Sequence, residues 1–139
     1  RWPGVVKPQS QPTELIQNID YAPTFLEMAG IEVPVEVDGQ SLVPIMNGTV
    51  KKWRASLYYA YYEFGEHAVP QHFGVRSMTH KLFFFPATNE WNMFDLTNDP
   101  QEMVNVYNQP KYKRVQASLE QEFDRLRVQY DAPPFPIKK

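Results

Sequence analysis

The stretch Ser56–Leu96, SLYYAYYEFGEHAVPQHFGVRSMTHKLFFFPATNEWNMFDL, decides the architecture. It gathers aromatic and β-branched residues, which suit a pleated and half-buried surface, into short runs divided by turn chemistry. Ser56–Phe64 reads as a first strand. A loop holding Gly65, His67, Pro70 and His72 separates it from Phe73–Met78. Thr79-His80 makes a tight connection to Lys81–Phe85, and Pro86–Glu90 turns the chain into Trp91–Leu96. Parallel pairing would need long crossovers that these connections cannot supply, so the four strands are expected to be antiparallel.

Downstream, Asn98-Asp99-Pro100 is a turn in which Asx side chains bond the local backbone and proline fixes φ. Tyr112, Val115, Leu119, Phe123, Leu126 and Tyr130 then recur at steps of three and four, the spacing of one helix face. Asn108 is a candidate cap, with Pro110 in the first turn, and Glu122–Arg125 and Asp124–Arg127 are i,i+3 pairs. Burying this stripe on the sheet contributes on the order of 10 kcal/mol gross, at about 1.5–3 kcal/mol per large side chain. Ala132–Lys139 reads as a surface strap or an unstructured tail. These elements predict an α+β arrangement, an antiparallel sheet packed against a long C-terminal helix.

Upstream, the residues from Arg1 to Pro8 read as the end of a buried strand running into a turn, and the chain is expected to be a fragment. Asn18-Ile19-Asp20 offers an N-cap, Pro23 suits a first turn, and Tyr21, Ala22, Phe25, Leu26 and Met28 come next with helical spacing. Gly30 stands where a left-handed C′ residue belongs. Residues 32–55 look irregular, with a turn at Asp38-Gly39 and one helical turn within Ser41–Met46. Lys51, Lys52 and Arg54 around Trp53 mark a change of composition, which places a boundary near residue 50, dividing 1–48 from 49–139.

A hydrophobic content of 42% with 22% charged residues fits a folded globular chain. A net charge of −2 leaves no electrostatic footprint for nucleic acid, and no apolar run reaches the roughly 20 residues that span a bilayer. The absence of cysteine removes disulfides, thiolate metal sites and cysteine nucleophiles together. Asn47-Gly48-Thr49 matches the N-glycosylation acceptor pattern.

Three histidines are the only groups that ordinarily titrate near neutrality. His67 and His72 share a loop and His80 lies in a turn, so the three do not read as a zinc set. Local hydrogen bonds are the plainer role for the loop pair. No nucleophile elbow, P-loop or dinucleotide fingerprint is present. Arg76 is expected to pair with a carboxylate on a neighbouring strand. The tyrosines of residues 57–64 could stack a sugar or a base, but at alternating sheet positions they fit a core better.

Several phrases in order resemble the C-terminal portion of type I sulfatases: Arg1-Trp2-Pro3-Gly4, NIDYAPTFLEMAGI over Asn18–Ile31, Asp38-Gly39-Gln40-Ser41-Leu42 and Trp53-Arg54. Gly74-Val75-Arg76, Lys81-Leu82, and Phe94-Asp95-Leu96 through Asp99-Pro100 to Glu102 and Asn105 continue the pattern. YYAYYEF with His67 and His72 is most similar to the branch acting on sulfated carbohydrates, including glycosaminoglycan-type sugars.

The resemblance implies a parent enzyme with an α/β, alkaline-phosphatase-like domain that hydrolyses a sulfate ester with a formylglycine and a bound calcium. Residues 1–48 would end that catalytic domain, and 49–139 would form the C-terminal subdomain. The family nucleophile lies in a motif of Cys or Ser, any residue, Pro, any residue, Arg. Ser10-Gln11-Pro12-Thr13-Glu14 imitates it without the Arg and is rejected. The calcium carboxylates and the Lys and His residues of the sulfate pocket precede Arg1 in the family pattern, so this chain is expected to bind neither cofactor and to be inactive alone.

What the resemblance assigns to these residues is the pocket rim, with His72 first and His67 second as substrate-binding candidates. The implied partners are the upstream catalytic domain and a sulfated carbohydrate, and the family implies a periplasmic, secreted or lysosomal location. The alternatives are the tail of a phosphoester or phosphonate hydrolase, or a free-standing glycan-binding module.

Overall fold

A computed structural model describes residues 2–63 and 68–135. The chain divides into two compact units, residues 1–55 and 56–139.

In the first unit a 3-10 turn at Asn18–Asp20 leads into α1 (Tyr21–Met28), and α2 (Val43–Met46) is a single turn. Pro23 sits in the first turn of α1, where its missing N–H costs no hydrogen bond. Gly30 takes φ of +70° just past the helix, and the Ile31 N–H reaches back to the Leu26 carbonyl, closing the end as the sequence implies. Residues 2–8 form turns and not the expected end of a strand, with Val5 and Val6 N–H groups on the Trp2 carbonyl. A strand needs a neighbour, and the strands of the described residues all pair with one another further along the chain.

Asp20 is not a conventional cap. Its side chain is fully buried, and Arg54 grips it bidentately, Nη1 to Oδ2 at 2.6 Å and Nη2 to Oδ1 at 2.7 Å. The Gln17 and Gln40 N–H groups donate to the same carboxylate. Thr24 Oγ1 donates to the Asp20 carbonyl and accepts the Leu42 N–H. A Cβ on Gly39 would collide with the Ile19 carbonyl group, so only glycine lets the two backbones approach this closely. Trp53 Nε1 donates to the Leu15 carbonyl. The phrases NIDYAPT, DGQSL and WR, far apart in sequence, are thus one buried polar network, and a network this deep is stable only when fully bonded.

In the second unit β1 (Ser56–Tyr61), β2 (His72–Ser77), β3 (His80–Phe85) and β4 (Glu90–Asp95) form an antiparallel meander in that order. A 3-10 turn at Pro110–Tyr112 opens α3 (Lys113–Gln129). Register obeys the side-chain pattern: Tyr58 faces Val75, Val75 faces Leu82, and Leu82 faces Met93. That row points at α3, where Leu119, Phe123 and Leu126 close the core. The α+β sheet-and-helix expectation holds. Asn108, however, caps nothing. It takes φ of +61°, and Gln116 bonds its N–H and its side-chain oxygen, so the helix begins after the proline turn.

The motif from Asp95 to Asn105 fastens the sheet to the segment that leads into α3. Asp95 accepts from the Thr97 and Asn98 N–H groups, the Asn98 amide and the Tyr112 hydroxyl. Asp99 accepts the Val104 N–H. Asn105 accepts from Met93 and Tyr107 N–H groups and donates to Trp91 O and Asn92 Oδ1. These Asx side chains bond nearby backbone groups that the sheet ladder leaves free, which is why short polar residues are used there. Residues 132–135 form a strap anchored by Phe135, which packs on Phe73, Phe84 and Phe123 under the Arg127 guanidinium. Arg127 faces the strap, not the expected helix partner Asp124.

Candidate functional site

His72 opens β2, one residue before the strand start that the loop reading implies, because it pairs in register with Tyr61. Strand alternation puts it on the sheet face opposite α3. Its half-buried ring lies among four aromatic rings. Tyr61 stacks on it at 5.4 Å and 22°, Tyr59 and Phe83 meet it edge-on at 5.6 and 6.0 Å, and Phe85 is tilted at 5.6 Å. Such contacts contribute about 0.5–1.5 kcal/mol each beyond area burial. Nδ1 lies 2.9 Å from the Pro70 carbonyl oxygen.

Gly74 makes the collar possible. It lies in register between Tyr59 and Phe83, and a Cβ there would stand 2.8 Å from Tyr59 Cε1 and 2.6 Å from Phe83 Cδ1. The two rings close over the bare backbone, edge to face at 5.2 Å. The Tyr59 hydroxyl is buried without a hydrogen-bond partner among the described residues, and burial, with the Glu102 charge adding to it, pushes its pKa up.

The same face carries Arg76 and Lys81 in register. Lys81 pairs with both Glu102 oxygens, at 2.7 and 2.8 Å, and lies over the Phe83 ring. Arg76 is exposed between Leu57 and Lys81, neither of them an acid, so the expected cross-strand carboxylate pairing is corrected: Glu102, on the same face, goes to Lys81.

The structure does not bring His72 and His80 together. His80 belongs to the opposite face, where it pairs in register with Asp95, approaches Tyr112, and bonds Thr79 Oγ1 through Nδ1. His67 lies outside the described residues. Among the described residues no three His, Asp or Glu side chains converge as a metal set, and the chain has no cysteine.

One hydroxyl–carboxylate pair stands out: buried Ser56 donates to Glu122. Arg125 holds the Glu122 carboxyl below its ordinary range, which makes it a poor base, so the pair ties β1 to α3. The arrangement at His72 is a positioned ring nitrogen on an aromatic platform, suited to orienting a polar ligand. The collar is hidden in the sequence. Only the register that sets Tyr59, Gly74 and Phe83 side by side reveals it.

Residues 1–129 match the family N-sulphoglucosamine sulphohydrolase, C-terminal. The chain belongs to this family of sulfatases. It is 38% identical over 135 residues to an N-acetylglucosamine-6-O-sulfatase of Bacteroides thetaiotaomicron, covering 94% of this chain and 24% of that protein. A solved structure of a protein in complex with its substrate D-glucosamine-2-N,6-O-disulfate superposes with a TM-score of 0.93 at 38% identity, over 99% of this chain and 29% of the other. A phosphonate monoester hydrolase from Silicibacter pomeroyi superposes at 0.78 with 26% identity, over 94% of this chain and 28% of the other. The chain spans about a quarter of the length of the N-acetylglucosamine-6-O-sulfatase. Among the described residues no helix is long and apolar enough to cross a membrane.

Proposed function

We propose that this chain is the C-terminal part of a sulfatase that hydrolyses sulfate esters of glycosaminoglycan-type sugars. The nucleophile, the formylglycine made from it and the calcium ion belong to an upstream catalytic domain. Residues 49–139 serve as its C-terminal subdomain and 1–48 as the end of the catalytic domain. His72, with His67 as a second candidate, contributes a substrate contact at the pocket rim. A periplasmic, secreted or lysosomal location goes with this reading.

The observation that carries the reading is 38% identity, held over nearly the whole chain, to an N-acetylglucosamine-6-O-sulfatase. His72 supports it physically. A ring wedged among four aromatics has few orientations to lose on meeting a ligand, so its contact carries little entropic cost. The likeness to a phosphonate monoester hydrolase favours a second reading, in which the same ending supports cleavage of a phosphonate ester.

The test is turnover by the full-length protein that carries this chain. Sulfate release from N-acetylglucosamine 6-sulfate, with little hydrolysis of a phosphonate monoester, is expected. His72→Ala should raise KM about tenfold with kcat nearly unchanged, as for a contact made equally in ground and transition states. Preferential phosphonate cleavage would establish the second reading. An unchanged KM would remove His72 from the rim.

A further inference from the structure

The orientation of His72 decides which kind of group it can bind. Nδ1 faces the Pro70 carbonyl at 2.9 Å, and a carbonyl oxygen only accepts, so Nδ1 carries the proton. In the neutral ring Nε2 is then an acceptor, and among the described residues no donor reaches it. Turning the ring over would break the Pro70 bond, so the hydrogen bond holds the assignment, while the surrounding rings fix the plane of the imidazole.

Resting on the rim reading above, we propose that His72 is a specificity-determining residue that reads a free hydroxyl, or another N–H or O–H donor, on the sugar and rejects an acceptor at that position. A second sulfate ester there presents only acceptor oxygens to the Nε2 lone pair. A deoxy position presents nothing and leaves the nitrogen unpaired. A site that hydrogen-bonds a hydroxyl discriminates against its absence more strongly than an apolar pocket can reject an added group. The substrate class is therefore a sugar sulfated at the reacting position and unsubstituted at the one facing His72.

The experiment measures kcat/KM of the full-length protein. The probes are N-acetylglucosamine 6-sulfate, its 3-deoxy and 4-deoxy analogues, and its 3,6- and 4,6-disulfates. At one of the two positions, both the deoxy and the sulfated probe should lose about 10–100-fold. His72→Phe should abolish that difference, and His72→Gln, whose side-chain oxygen can accept in place of Nε2, should retain part of it. Equal turnover of the hydroxyl, deoxy and sulfated probes by the unmodified protein overturns the proposal without any variant. Discrimination that survives in His72→Phe overturns it as well. If no 6-sulfated sugar is hydrolysed, the proposed function fails with it. If 6-sulfate is hydrolysed and His72→Phe raises KM while the disulfates turn over equally, the rim role stands and the proposal alone is lost.

Discussion

Loss of the Arg54 guanidinium would leave the Asp20 carboxylate buried and without its countercharge. Arg54→Met is therefore expected to destabilise the protein by about 3–5 kcal/mol, read from urea unfolding, and a change within error would show that the network is not needed. Burial alone would raise the Asp20 pKa, but Arg54 and the Gln40 and Gln17 N–H groups outweigh it and hold the carboxyl below its usual range. Asp95 is lowered to about 2, chiefly by the Asn98 side chain, against opposing desolvation. A folded-state pKa below the unfolded value gives stability that is complete above the unfolded pKa of about 3.9 and disappears as pH falls through the folded value. Melting temperature should thus hold steady down to about pH 5 and fall steeply between about pH 4 and pH 2. Asp95→Asn should flatten part of that slope, and an unaltered slope would contradict the assignment.

At the scale of elements, the strands of the sheet and the C-terminal helix are legible because aromatic runs and a three-and-four spacing are local signals. The features that stay hidden depend on contacts between distant residues. Asp20 reads as a helix cap because its partner Arg54 is 34 positions away. Asn108 also reads as a cap, but its left-handed backbone belongs to the turn before Pro110. Phe135 sits in a proline-rich tail with no local signal, yet it fills a gap among Phe73, Phe84 and Phe123. His72 is visible as a candidate, but its collar exists only once the strands are paired. Gly74 tests that pairing. Gly74→Ala drives a methyl against two aromatic rings and the Leu82 carbonyl oxygen, the last at 2.7 Å, and should cost about 1–3 kcal/mol in thermal or urea unfolding. A neutral outcome would mean that the rings do not close over this residue.

For the molecule as a whole, apolar surface matters more than any single contact. Phe25 is 65% exposed and Val35 94%, with Tyr21 and Ile31 also open in the first unit. Exposed apolar side chains mark surfaces that another body covers where they form a contiguous patch. Residues 1–139 alone are therefore expected to bind a hydrophobic dye and to associate with rising concentration, and a monomer that ignores the dye would argue against this. The family phrases serve mainly as mutual fasteners, Asp20 with Gln40 and Arg54, Lys81 with Glu102, and Asn105 with β4. None of them forms a reacting centre among the described residues. The most direct test compares sulfate release from N-acetylglucosamine 6-sulfate by residues 1–139 and by the full-length protein. Turnover by the full-length protein and none by the shorter piece is predicted. Catalytic sulfate release by residues 1–139 alone would contradict the account.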